Sequence, residues 1–162
     1  MENEKKIPDI IIEGAQFSFT NFQGKVSDWN KSGERNFGLL LPDDIAEKAK
    51  ADGWNVKYRA PREDDPTQYM QPWIKVKVNF RNRRHAPKVE MLSKRGRTIL
   101  DEELIGQLDW ADIEHADIAI TPYEYPSING AAPGISAYLK ELKVVIKEGY
   151  FDDKYADYPY NG

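Results

Sequence analysis

In the segment PWIKVKVNFR, residues 72–81, every second residue from Trp73 onward is aromatic or polar: Trp73, Lys75, Lys77, Asn79 and Arg81. The residues between them, Ile74, Val76, Val78 and Phe80, are apolar. Side chains of a β-strand alternate between its two faces. The apolar set makes a core face. The other set is a ring followed by cations at intervals of about 6.6–6.8 Å. An aromatic ring stacks on a nucleobase, and a lysine or arginine replaces the counterion on a phosphate. One face of one strand thus carries both groups needed to hold a single-stranded nucleic acid.

The positive track extends beyond the strand. Residues 72–97 hold nine cations, Lys75, Lys77, Arg81, Arg83, Arg84, Lys88, Lys94, Arg95 and Arg97, against Glu90 as the lone acid. The whole chain is acidic, with net charge −4 and pI near 5.3. Lysines also line ordinary solvated strands and blunt sheet edges, and a tryptophan can simply cover a core. A solvated face usually mixes signs, however, so this imbalance favours an anionic polymer as ligand. The turn at Gly96 presents Lys94, Arg95 and Arg97 at the edge of the same sheet, provided the two flanking strands pair with the first.

Other aromatics are candidates for the same chemistry. Trp29 lies in the polar loop QGKVSDWNKSGER, where it stacks a base, contacts a partner or anchors the loop. Tyr123 and Tyr125 share a face with Thr121 and either stack bases or cover the sheet edge. Trp54, Val56 and Tyr58 alternate as a core face, which turns Lys57 and Arg59 outward. Trp110 follows an amphipathic segment and is expected in the core.

Catalysis has little to build on. There is no cysteine, so thiolate zinc sites, disulfides and cysteine nucleophiles are excluded. The two histidines, His85 and His115, lie far apart in sequence. His115 has Asp112, Glu114 and Asp117 nearby, a spacing common without any metal. Asp117, Glu141 and Lys143 could be imagined as a Mg²⁺ nuclease set. No phosphate-loop, dinucleotide or nucleophile-elbow motif occurs. The reading is a protein without catalytic residues, metal or cofactor. A metal-dependent nuclease, and an adaptor whose basic strand docks an acidic protein, stand as the alternatives.

The elements that would position these residues are mostly strands. IIIEGAQFSFTNF begins apolar and then alternates, with Ala15, Phe17 and Phe19 on one side. NFGLLL, WNVKYRA, WIKVKVNF, KVEMLS, TIL and DIAITPYEY read as further strands. PDDIAEKAKADG reads as a short helix, acidic at its start, with Ile45, Ala46 and Ala49 as an apolar stripe and Gly53 at its end. DEELIGQLDWA reads as a second, with Asp101 at its cap and Leu104, Ile105 and Leu108 on one side. ISAYLKELKVVIKE fits both periods, and its β-branched KVVI favours a strand. Loops 61–72 and 126–134 are long. The result is a mainly β domain with short helices, a sandwich or small barrel, without strict βαβ alternation. Residues 1–9 read as a flexible arm, 10–148 as the folded domain and 149–162 as an acidic, aromatic tail. The N-terminal MENEKKIPD has no following apolar stretch, so it is not a signal peptide.

The blocks IIIEGAQFSFTNFQG, ERNFGLLLPDDIAEKAKADGWNVK, PWIKVKVNF, SKRGRTILDEELIGQLDWADI and ISAYLKELKVVI, in this order and spacing, resemble bacteriophage and prophage single-stranded DNA-binding proteins over about residues 10–147. The resemblance implies an oligonucleotide/oligosaccharide-binding (OB) fold, a five-stranded barrel with long loops. It implies sequence-independent binding of single-stranded DNA in phage replication or recombination, in the cytoplasm of the bacterial host, without cofactor. An acidic tail that contacts phage replication or recombination proteins is a further feature of such families. Here the chain ends in YPYNG, without a dense acidic run. Oligomeric state is left open, a homo-oligomer included. The residues assigned to nucleic acid are Trp73, Lys75, Lys77, Arg81, Arg83, Arg84, Lys94, Arg95, Arg97, Trp29, Tyr123 and Tyr125.

Overall fold

The computed structural model describes residues 7–81, 86–127, 130 and 132–147. Its strands are β1 (Ile10–Glu13), β2 (Phe17–Asn21), β3 (Arg35–Leu40), β4 (Lys57–Arg59), β5 (Gln71–Val78), β6 (Lys88–Ser93), β7 (Gly96–Ile99), β8 (Ile113–Tyr125) and β9 (Gly134–Ile146). One α-helix, α1 (Asp43–Asp52), follows β3, and a 3₁₀ turn spans Ile105–Asp109. All these strands join one mixed sheet in the order β1-β8-β9-β5-β3-β2, with β4 beside β5 and the β6–β7 hairpin beside β9. The pairings are antiparallel except for β5 and β6, which both run parallel to β9.

The mainly β expectation with short helical pieces holds. The closed five-stranded barrel is not confirmed, because among the described residues no ladder joins β1 to β2 and the sheet is open. The reason lies at Gly14. Its φ of +74° breaks the first strand into two, since that backbone region suits glycine. The Ala15 amide still donates to Ala116 of β8 (2.7 Å), and the Gln16 carbonyl accepts from the amide of Leu40 at the end of β3 (3.0 Å). The two ends of the sheet are therefore linked by three residues of backbone rather than by strand pairing.

The alternation read in β5 is what the sheet uses. Ile74, Val76 and Val78 are buried, as are their neighbours Phe37 and Leu39 on β3 and Leu139, Leu142 and Val144 on β9. Phe22 and Phe37 stack with centroids 5.0 Å apart, and Phe17 meets Phe37 edge-on at 5.2 Å. Such aromatic pairs add about 0.5–1.5 kcal/mol to their area burial. Helix α1 buries Ala46 and Ala49 against this core and ends at Gly53, whose φ is +100°. The Tyr69 hydroxyl of the following loop donates to Asp43 at the helix start (2.5 Å).

Two local expectations change. The segment 101–111 is not an α-helix. Asp101 caps it as read, accepting from the amides of Glu103 and Leu104 at 3.0 Å each. It then winds as a 3₁₀ turn, where residues three apart eclipse. That buries Ile105 and Leu108 and leaves Trp110 82 % exposed rather than in the core. Tyr58 is likewise exposed, not packed with Trp54, because β4 pairs only with β5 and has no buried position.

The ambiguous ISAYLKELKVVIKE is a strand from Ile135 to Ile146. β9 runs 13 residues against β8. Ile120 pairs with Leu139 and Ala119 with Glu141, so Lys140 is the unpaired bulge residue. Its ammonium donates to Asp9 (2.8 Å). Burial alone would raise the pKa of Asp9. That push is the largest single influence, but the bonds from Lys140 and Thr121 and the Lys140 charge together outweigh it, and the carboxyl sits below its usual value. Lys140 is raised in turn, first by that same bond. The lowered acid stabilises the fold above its unfolded pKa and loses that contribution as pH falls through the folded value. The raised lysine contributes below its unfolded pKa and loses it as pH rises through the folded value. Because the Lys140 side chain is 61 % exposed, solvent screening limits the pair to about 1 kcal/mol or less. Asp9→Asn is therefore expected to cost up to about 1 kcal/mol at neutral pH and less as the pH falls below the ordinary carboxylate range, read by urea unfolding at neutral and at acid pH. An equal loss at both values contradicts the ion-pair account.

Candidate nucleic-acid interface

The outer face of the sheet is built around β5. Trp73 pairs across to Leu40 and Lys57, Lys75 to Gly38, and Lys77 to Asn36 and, in parallel, to Tyr138. These residues all face away from the core. Gly38 has a specific part in this. A Cβ there would fall 2.7 Å from Ser18 Oγ and 3.3 Å from Cε3 of Trp73. Its bare backbone lets β2 and the indole close down over β3.

Phe19 joins Trp73 on this face. Strict alternation puts Phe19 with Phe17 in the core. Instead the register shifts between Ser18 and Asn21, Phe19 takes φ +49°, and its ring is 69 % exposed. The two rings lie 6.2 Å apart, tilted by 53°. Cations sit over them: the Lys57 ammonium lies 5.2 Å from the Trp73 ring and the Arg59 guanidinium 5.5 Å from that of Phe19.

Across β5 a groove of about 550 Å³ opens between Asn55 and Lys57 on one wall and Tyr123, Tyr125 and Tyr138 on the other, with Lys75 and Lys77 along it. Tyr123 meets Tyr138 edge-on at 6.1 Å and is itself exposed. Lys77 reaches over the Tyr138 ring at 6.0 Å. Gly134 opposite Tyr125 lacks the Cβ that would collide with the Tyr125 hydroxyl. Arg81, just past the end of β5, lines an adjoining cleft of about 200 Å³ with Arg35, Lys77 and Tyr138. Glu102 closes that cleft through an ion pair to Arg35 at 3.6 Å.

Trp29 is 97 % exposed, in a loop whose later residues Ser32, Gly33 and Glu34 line the Arg81 cleft. Its loop is nevertheless tied down. The Asn30 side-chain amide donates to the carbonyls of Lys25 and Glu34 (3.1 and 2.8 Å), and its oxygen accepts from the Glu34 amide (3.0 Å). Asp109 holds the loop's root by accepting the amides of Phe22 and Gln23 (2.8 and 2.9 Å).

The structure thus brings together Trp73, Lys75, Lys77 and Arg81, with Tyr123 and Tyr125 on the facing wall. It places the Gly96 turn elsewhere. β6 pairs with β9 and β7, not with β5. Lys77 is level with Tyr138, and Leu92 with Val145. That separation is seven residues along β9, about 23 Å. Lys94, Arg95 and Arg97 therefore share the sheet but not the neighbourhood of Trp73. Arg97 pairs with Glu90 at 3.6 Å, which Lys143 also approaches at 3.8 Å. Arg83 and Arg84 lie outside the described residues, as does the tail 149–162.

The sequence reading leaves four residues of this face unassigned. Lys57 and Arg59 were legible as outward. Tyr138 was hidden by the mixed periodicity of its segment, and Phe19 by a bulge that no pattern announces. Of the groups considered for metal chemistry, Asp117 faces Lys143 across the β8–β9 ladder, with Glu141 two residues along it. Asp117 accepts from the Gly14 amide (3.1 Å) and pairs with His115 (2.8 Å). Among the described residues no group of three or more histidines and acids could hold a metal ion. Nor is any described helix long and apolar enough to cross a membrane.

A mixed β-sheet whose outer face interleaves rings and cations has the chemistry that nucleic-acid-binding β proteins use. Over residues 1–162 the sequence matches the family model described as "Putative phage ssDNA-binding domain", and the chain belongs to that family of phage single-stranded DNA-binding proteins. Among solved structures, the fold is similar to the single-stranded DNA-binding protein of bacteriophage Enc34 in complex with ssDNA, with a TM-score of 0.54 and 16 % identity over 87 % of this chain and 88 % of that one. A C-terminal truncation of the Enc34 protein matches with a TM-score of 0.53 and 16 % identity, covering 92 % of this chain and 99 % of that one. No curated protein matches the sequence.

Proposed function

We propose that single-stranded DNA lies across the outer face of β5, with little regard to base sequence. Bases stack on Phe19 and Trp73 and on the tyrosines of the β8–β9 wall. Phosphates are met by Lys57, Arg59, Lys75, Lys77 and Arg81, and Trp29 forms a lateral wall. Arg83, Arg84, Lys94, Arg95 and Arg97 extend the positive track for longer strands. The observation that carries this reading is the interleaving of five rings with five cations on one face, over a core that uses the opposite face. Stacking and phosphate neutralisation are both sequence-tolerant. A protein of the same fold in complex with ssDNA supports the same ligand. In this reading the protein acts by coating DNA inside the host cell during phage replication or recombination, without catalysis or cofactor. Residues 149–162, which combine Asp152, Asp153 and Asp157 with four tyrosines and Phe151, contact proteins of the same process.

The test is an anisotropy titration with dT oligomers and with duplex DNA at two salt concentrations. Tight, salt-sensitive binding of dT with weaker binding of duplex supports the reading, and equal affinity for duplex contradicts it. Each phosphate contact on a single strand contributes about 0.7 to the slope of log K against log salt. Lys75→Ala is therefore expected to lower that slope by about 0.7. An unchanged slope removes Lys75 from the phosphate path.

A further inference from the structure

Every ring facing the groove or its rim that has a cation over it in this structure meets one from the same face. Lys57 covers Trp73, Arg59 covers Phe19 and Lys77 covers Tyr138. The pattern extends to the far side of β4, where Lys50 of α1 covers Tyr58. Lys57 and Arg59 are two residues apart on the exposed strand β4 and point the same way, toward Trp73 and Phe19. Both a stacked base and a covering cation need the face of a ring, so they compete wherever they seek the same side. Both a phosphate and a ring attract the cation. The geometry points to an exchange: in the free protein Lys57 and Arg59 cover Trp73 and Phe19, and on binding single-stranded DNA the cations pass to phosphates while bases take the ring faces.

The magnitudes favour the exchange. A cation over an exposed ring is worth about two- to fivefold in an equilibrium constant. A base stacked on that ring is worth about fivefold to 150-fold, and the displaced cation gains a phosphate. The cover is thus strong enough to hold the cations on the rings of the free protein and weak enough to be displaced. The exchange makes β4 more than a source of charge. Its two cations are ring-covering residues that set how readily the platform opens. This inference rests on the DNA-binding reading above.

The test uses the full chain and a labelled dT oligomer, and compares Lys57→Ala with Lys75→Ala. Among the described residues Lys75 lies on the same face but covers no ring. Both variants are expected to lose about 0.7 from the salt slope. At about 1 M salt, where phosphate attraction is largely screened, Lys57→Ala is expected to bind two- to fivefold more tightly than Lys75→Ala, because its ring is already bare. Equal affinity of the two at high salt overturns the exchange and leaves the binding reading intact. Failure of the wild-type chain to bind dT at any salt overturns the binding reading itself. A direct readout guards against altered folding. In wild-type protein the ε-methylene protons of Lys57 should resonate upfield, shielded by the Trp73 ring, and return toward their ordinary position as dT is added. Upfield resonances that persist in the saturated complex show that the cation stays on the ring, and the exchange is then wrong.

Discussion

Trp73→Ala is expected to weaken dT binding by about 1–3 kcal/mol, the cost of one lost base stack. That is roughly fivefold to 150-fold in affinity. The indole does more than offer its own face. Phe19 leans on it at 6.2 Å and Lys57 sits over it. Removing it leaves Phe19, already held in the left-handed region at φ +49°, without a neighbour on one side. The two rings should therefore behave as one platform. Phe19→Ala alone should cost about 1–2 kcal/mol, and the double variant less than the sum of the two singles by about 0.5 kcal/mol or more. A double-mutant cycle by anisotropy measures this directly. Strict additivity means that the rings bind independent bases, and an unaltered affinity in Trp73→Ala removes the residue from the interface.

Asp109→Ala should produce the largest loss of stability among polar substitutions, about 2–4 kcal/mol by urea or thermal unfolding. Each of its oxygens accepts one backbone amide, from Phe22 and from Gln23. Hydrogen bonds to a charged acceptor are worth about 1.5–3 kcal/mol each, and an unpaired part-buried amide adds its own desolvation cost. Water can replace the acceptor at the exposed Gln23 amide, so the two losses do not sum in full. The Phe22 amide is different, since its ring is fully buried against Phe37 and Phe17. Asp109→Asn keeps one acceptor and should lose about half as much. A loss below about 0.5 kcal/mol for the alanine variant would show that the loop root is held by packing alone. The same variant reads out function. The loop it anchors carries Trp29, so dT affinity should fall in Asp109→Ala at temperatures where the domain is still folded.

Much of the interface was legible because one strand wrote it plainly. The alternation in WIKVKVNFR separates core from face with no help from elsewhere, since the β period of two is a property of the backbone. The outward cations of β4 were legible for the same reason. What the pattern misjudged lies where the chain departs from regular geometry. Phe19 follows a register shift, and such a bulge transfers a residue from one face to the other. Trp110 ends a 3₁₀ turn whose period is three rather than 3.6. Tyr138 lies in a segment that satisfied both helix and strand periods, and only the long ladder with β8 decides between them.

The strand character, the core face of β5, the acidic start of α1 and the concentration of positive charge were all determined by the sequence itself, because each depends on neighbours within a few residues. The tertiary structure alone decided which charges share a site. Lys94, Arg95 and Arg97 belong to the same basic segment as Lys75, yet β6 pairs with β9 and carries them about 23 Å away along the sheet. Phe19, Lys57 and Tyr138 come from three distant segments, yet strand pairing sets them around Trp73 and Lys77. Pairing partners are chosen by which apolar faces can be buried together. That choice is a property of the whole chain and is not written in any one of its strands.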